Sequence, residues 1–266
     1  MARGRRSRTV LLCLLVAAAL AGCGAPEPVD DPGNGIGRYY DVRQLLAAVS
    51  ARQHAERTAQ LSLKGTLAGP AAMTFTGDGA VRLDGGPVAL RLDQTVQWPG
   101  AAPQRTGFVL LGEDVWLRTD DAGRPWLRAP AATTEPDRVR AVLATTLGDG
   151  VDPTVNLARY AEATLVADAS DDTVADVPAV RYTLVVDLAR AARLQPDPAL
   201  RAQLEQQVRD GMTRITSTLW VDGGSRPVRT EQRQELPGMG TLSVTGEYRG
   251  WGTPVRIDPP PAAEVR

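Results

Sequence analysis

Polar and apolar positions change period several times along the chain, and each change marks an element. Residues 10–20 (VLLCLLVAAAL) form an unbroken apolar run, and residues 24–37 (GAPEPVDDPGNGIG) have no hydrophobic period at all. From Asp41, the apolar positions Val42, Leu45, Leu46 and Val49 recur at spacings of three and four, which predicts a helix to about residue 56. Asp41 is its N-cap, and Gln44 stands three residues on, as in a capping box. The period then drops to two. Residues 61–67, 81–83 and 88–98 alternate, separated by Gly69-Pro70, Asp84-Gly85-Gly86-Pro87 and Pro99-Gly100. Residues 108–111 and 115–117 flank Gly112-Glu113-Asp114, and residues 124–127 add a short edge strand. Gly77 and Gly79, like Gly85 and Gly86, are expected in hairpin turns. Connections this short leave no room for crossover helices, so these strands form an antiparallel meander.

Two helices follow. Residues 138–147 carry Val139, Val142, Leu143 and Leu147 and stop at Gly148, while Asp152-Pro153 caps a helix with Val155, Leu157 and Tyr160. Strands resume at 164–169 and 177–188. A third helix opens at Asp197-Pro198 and presents Leu200, Leu204 and Val208 before Gly211. Strands 213–222, 226–235 and 241–248 close the chain, and the proline-rich tail from Gly252 is expected along a sheet edge. The pattern predicts an α+β fold in which one large antiparallel sheet carries its helices on one face. A sheet of that size curls, and its concave face is wide enough to hold something other than side chains.

The beginning of the chain reads as an address. Arg3, Arg5, Arg6 and Arg8 precede the apolar run, whose eleven residues are too few for a membrane span and suit a signal peptide. Leu20-Ala21-Gly22-Cys23 resembles the bacterial lipobox, in which the cysteine is diacylated and becomes the new N-terminus. The expected organisation is a signal peptide over 1–22, lipidated Cys23 with a flexible tether to 37, and an α+β domain over 38–266. Localisation is expected at the extracytoplasmic face of the membrane.

Composition narrows the chemistry. Cys13 and Cys23 are the two cysteines and His54 is the one histidine, so no Cys/His metal site or disulfide fits in the body of the chain. Net charge is −1, with four of the 30 basic residues in the first ten positions, and the mildly acidic remainder argues against nucleic-acid binding. No nucleophile elbow, phosphate loop or dinucleotide fingerprint occurs. His54 reads as a surface or half-buried residue, and the pairs Asp30-Asp31, Asp120-Asp121 and Asp171-Asp172 read as solvated turn carboxylates. A non-enzyme without cofactor is expected.

The anchor, the early helix, the meander and the closing strands, with Leu219-Trp220-Val221-Asp222, Arg226-Pro227-Val228 and the tail Gly252-Thr-Pro-Val255-Arg-Ile257-Asp-Pro259, together resemble the LppX/LprAFG-type lipoproteins of actinobacteria. The resemblance implies a LolA/LolB-like half-barrel whose helices cover the concave face over an apolar cavity for acyl chains. It implies binding of a lipid or glycolipid for transport or presentation, with a membrane transporter as a possible partner. Leu143, Leu147, Leu204, Val208 and Trp220 are the candidate lining, although periodicity alone reads the helical stripes as core and the tryptophan as a packing anchor. The alternative is a protein-interaction or envelope-stress sensor module built on the same half-barrel.

Overall fold

The computed structural model describes residues 33–70, 72–119, 125–129, 138, 141, 148, 150–236 and 239–266. The expected signal segment, Cys23, Leu143 and Leu147 lie outside them. In chain order the elements are α1 (Val42–Glu56), β1 (Thr58–Ala68), β2 (Met73–Arg82), β3 (Ala89–Gln97), β4 (Gln104–Leu111), β5 (Asp114–Thr119), β6 (Leu127–Arg128), α2 (Pro153–Arg159), β7 (Thr164–Val174), β8 (Val177–Asp187), α3 (Leu188–Leu194), α4 (Pro198–Arg209), β9 (Arg214–Asp222), β10 (Pro227–Leu236) and β11 (Gly240–Arg249).

The strands form one antiparallel sheet in the order β6-β5-β4-β3-β2-β1-β11-β10-β9-β8-β7. It is two meanders laid side by side, joined where β1 pairs with β11. The end strands β6 and β7 do not meet, so the sheet stays open, as expected of a half-barrel. Alternation gives it two unlike faces. On one face Leu61, Leu63 and Leu67 of β1 stand beside Phe75, Val81, Leu90, Leu92 and Phe108, all buried. Val180, Tyr182, Leu184, Leu219 and Val221 continue that face across β8 and β9, where Val42, Leu45, Leu46 and Val49 of α1 pack on them. The opposite face carries Lys64, Thr66, Thr74, Thr76, Asp78, Arg249 and their neighbours, most of them exposed.

Local chemistry sets the helix starts. Asp41 Oδ1 accepts the Arg43 and Gln44 N–H groups at 2.9 and 3.1 Å, and Asp197 Oδ1 accepts those of Ala199 and Leu200. Asp152 caps α2, with Pro153 at its first position. The short helix α3 departs from expectation, since its first residue, Leu188, reads as the end of a strand. Asp187 ends β8 and at once caps α3 through the Arg190 N–H.

The glycines of β2 are a second departure. Gly77 and Gly79 lie inside the strand, opposite Gln94 and Leu92 of β3, and not in a turn, whereas Gly85 does sit in the β2–β3 turn with φ of 85°. The reason is steric: a Cβ at Gly79 would collide with the Arg91 carbonyl oxygen of β3. The tail, as expected, runs along a sheet edge, where Val265 bridges Trp126 beside β6. Ile257 and Val255 pack with Ala89, Val109 and Trp126 on the polar face, and Trp126 hydrogen-bonds both Glu264 and Arg266 through their backbones.

Gly79→Ala is therefore expected to lower unfolding free energy by about 1–3 kcal/mol, the cost of overpacking a close approach. Urea titration checks it, and an unchanged midpoint would contradict the tight β2–β3 contact.

Candidate functional site

Where α1 crosses β8 and β9 the two layers touch. Leu45 and Val49 are fully buried against the sheet, and Tyr182 and Leu184 are fully buried beneath them. Farther along the apolar face, a small cavity of about 30 Å³ lies among Leu63, Val151, Thr230, Gln232 and Tyr248. That is room for about one water. The Tyr248 hydroxyl closes it by donating to the Val151 carbonyl at 2.9 Å. No cavity for two acyl chains separates sheet and helix among these residues.

The larger space lies on the flank of α1. An open groove of about 500 Å³ runs between α1, α2 and the β2–β3 turn. Positions 43, 46, 47, 50 and 54 of α1 form one wall, a helical face rotated from the buried stripe. Val155, Ala158 and Ala161 form the other, and Leu83, Gly85 and Val88 the floor. Val155 is 52% exposed, an aliphatic side chain left half bare in a concave site. Arg43 stands at one end and reaches Glu162 across the groove at 2.9 Å. Exposed His54 stands at the other end, beside Gly85. The volume falls within the ~300–1,000 Å³ of small-molecule sites.

Ser50, His54, Asp152 and Thr154 bring hydroxyl, imidazole and carboxylate groups into the same groove. Asp152 Oδ1 is held by the Thr154 N–H and hydroxyl at 2.9 and 2.6 Å, and among the described residues no hydrogen bond joins Ser50 to His54 or His54 to Asp152. A nucleophile–base pair needs that link. No group of three or more His, Cys, Asp or Glu side chains among the described residues is placed to hold a metal ion. No helix among them is long and apolar enough to cross a membrane.

The residues singled out from sequence do not converge here. Leu204 and, half-buried, Val208 of α4 pack with Val186, Leu188, Ala191 and Ala192 in a separate cluster, and neither lines the groove. Trp220 alternates with Leu219 and Val221, so it points to the opposite sheet face. There its Nε1 donates to Asp172 at 2.8 Å and Arg229 covers its ring at 5.5 Å. That indole hydrogen bond, helped by the Thr173 N–H, holds the Asp172 carboxyl below the usual carboxylate range. Leu46 and Val155 read from sequence as helix-stripe positions and not as lining, and Ala47 and Ala158 carry no signal of their own. The groove's signal was the second face of α1, which carries Arg43, Ser50 and His54.

The stretch expected as tether is docked from Asn34 onward. The Asn34 backbone N–H donates to Asp171 at 3.0 Å, its side chain donates to the Ala179 carbonyl, and Arg38 pairs with Asp171 at 2.8 Å. The Tyr39 N–H donates to the buried Tyr182 hydroxyl at 3.1 Å. These bonds fix the chain on β7 and β8 just before α1 and thereby set the groove's Arg43 end.

No family model and no curated protein matches this chain. Among solved structures it is similar to MucB in complex with MucA(peri), at 13% identity and a TM-score of 0.33 over 79% of this chain. The chain spans 56% of the MucB chain's length. It is also similar to the LolA superfamily protein NE2245 from Nitrosomonas europaea, at 11% identity and a TM-score of 0.26 over 80% of this chain and 92% of that one.

Burial pushes the Tyr182 phenol up to about 12 from 10.0. A raised phenol favours the folded state below its unfolded value, and that contribution is lost as pH climbs from about 10 through about 12. The melting temperature is expected to fall over that window, with Tyr182 accounting for about 2–3 kcal/mol. Tyr182→Phe should flatten the fall measured by thermal melts, leaving the part due to Tyr248, which burial also raises. An unchanged slope would contradict the assignment.

Proposed function

We propose that this protein is a lipoprotein held at the extracytoplasmic face of the membrane by lipidated Cys23. Its groove takes the acyl portion of a lipid or glycolipid for transport or presentation. The observation that carries the reading is the open groove of about 500 Å³ with aliphatic walls and half-exposed Val155. Each methylene removed from water is worth about 0.8 kcal/mol, so about eight of them contribute about 6 kcal/mol. Arg43 at the groove's end supplies a cation for an anionic headgroup. Its bond to Glu162 is little obstacle, because both side chains are more than 60% exposed and such pairs are weak.

The test uses the full-length protein, stripped of lipid and titrated with the fluorescent fatty acid cis-parinaric acid. Saturable binding is expected, about tenfold or more weaker in Ala47→Trp and Ala158→Trp, whose new rings fill the groove from exposed helical positions. Absence of saturable binding, or equal binding by both variants, overturns the lipid reading. Loss of a membrane protein partner in Ala158→Trp with bound lipid unchanged would favour an interaction module instead. Cys23→Ala is expected to move the protein from the detergent to the aqueous phase on phase partition and to remove the diacylglyceryl mass from its N-terminal peptide. Retention in the detergent phase would refute the anchor.

A further inference from the structure

The face of the sheet turned away from α1 holds a shallow trough of about 600 Å³ across β2, β1, β11, β10 and β9. Strand register arranges its side chains in two rows. Thr76, Lys64, Thr245, Glu231 and Thr218 are successive cross-strand partners in the first. Thr74, Thr66, Ser243 and Arg233 are successive partners in the second. Among the described residues none of these hydroxyls is hydrogen-bonded within the protein, and Lys64, Glu231 and Arg233 have no ion-pair partner. Two residues along the same strands the contrast is plain. Ser62 donates to Asp78 at 2.6 Å, Arg249 donates to Ser62, and Arg229 pairs with Glu247 at 2.7 Å. Along these strands the neighbouring charges are paired within the protein, whereas those of the trough are not.

The composition is also selective. Lys64 is the sole lysine among the chain's 30 basic residues. An ammonium is a compact point charge with three rotatable donors, whereas the arginines elsewhere suit fixed carboxylate pairs. Lys64 and Arg233 sit on strands separated by β11 and in adjacent rows, so two strand spacings and a two-residue offset put them roughly 12 Å apart. A ligand meeting both is extended, which a single phosphate ion is not. The two rows offer no aromatic or large aliphatic side chain, and Phe75 and Val244, which also border the trough, alternate to the apolar face of the sheet, so stacked bases are not served there. Threonine hydroxyls both donate and accept, and their methyl groups suit the C–H faces of sugar rings.

We propose that this trough binds an acidic glycan laid across the strands. Its hydroxyls exchange hydrogen bonds with the threonine rows, and its carboxylate or phosphate groups sit on Lys64 and Arg233. The two cations outweigh Glu231 and select for the acid.

The full-length protein in detergent is titrated with polygalacturonate, with dextran as neutral control and polyglutamate as a polyanion without hydroxyls. Polygalacturonate is expected to bind and the two controls not to. Lys64→Gln and Arg233→Gln should each weaken binding by up to about fivefold, the range exposed ion pairs supply, while Glu231→Gln strengthens it. Acetylation of Lys64, read by mass spectrometry on its own peptide, should slow when polygalacturonate is present. Unchanged thermal melts show that these exposed variants fold. Equal binding of polyglutamate or dextran, full binding by the Lys64→Gln/Arg233→Gln double variant, or an unprotected Lys64 would overturn the proposal. Fatty-acid binding in the α1 groove shares no residue with the trough and reads out separately.

Discussion

The ladder between β1 and β11 is the constraint from which both faces of the molecule follow. It sets Leu61 against Tyr248, Leu63 against Gly246 and Leu67 against Leu242, so the apolar faces of two meanders from opposite ends of the chain become one surface. A slip of one residue would turn one meander over, placing its apolar side in water and its polar side against α1. The partners lie far apart in sequence, so closing this seam carries a large loop-entropy cost, and the burial it permits must offset that cost. The same register brings Lys64 beside Thr245 on the far face. Trough and core are therefore two consequences of one pairing.

The way α1 is attached explains why the open space lies beside the helix and not beneath it. One residue, Arg57 with φ of 71°, turns the chain from α1 into β1, yet the helix packs on β8 and β9 in the other meander. Its end is fastened there by Glu56, which accepts from Arg226 at 2.7 Å and pairs with Arg52. The Arg226 hydrogen bond holds the Glu56 carboxyl below its ordinary range. With one face committed to the sheet, the flanking face of α1 meets, among the described residues, α2, Ala161 and Glu162 and the β2–β3 turn. Those supports are short and do not fill the angle between them. The groove is that unfilled angle.

What the sequence revealed was local. Asp41, Asp152 and Asp197 announced three helix starts because a cap is a relation between residues two or three apart. The alternation in β8 was legible because each apolar residue faces a packed layer. Gly77 and Gly79 misled because glycine usually signals a turn, and here it answers a neighbouring backbone that only strand pairing brings close. Helix α3 was hidden because its cap, Asp187, is also the last residue of a strand. Trp220 carried its own correction: alternation with Leu219 and Val221 already put it on the other face. The groove and the trough depend on which distant segments lie side by side, and no local pattern encodes that.

The position of the docked N-terminal segment gives the groove a direction. Asn34, Arg38 and Tyr39 tie the chain to β7 and β8, and α1 begins at Val42 directly afterwards. The Arg43 end of the groove is thus the end nearest the point where the chain leaves toward Cys23, and the His54 end is farther along α1. With Cys23 lipidated as proposed, the ten residues from Cys23 to Gly33 span at most about 33–36 Å when fully extended. That keeps the docked segment within the same distance of the bilayer surface. A lipid leaving the membrane would then meet the cationic end of the groove first. The trough, on the other side of a continuous sheet, is out of reach of the same ligand unless that ligand wraps an edge. Sheet sidedness thus separates the proposed apolar site beside α1 from the proposed polar site facing away from the helices.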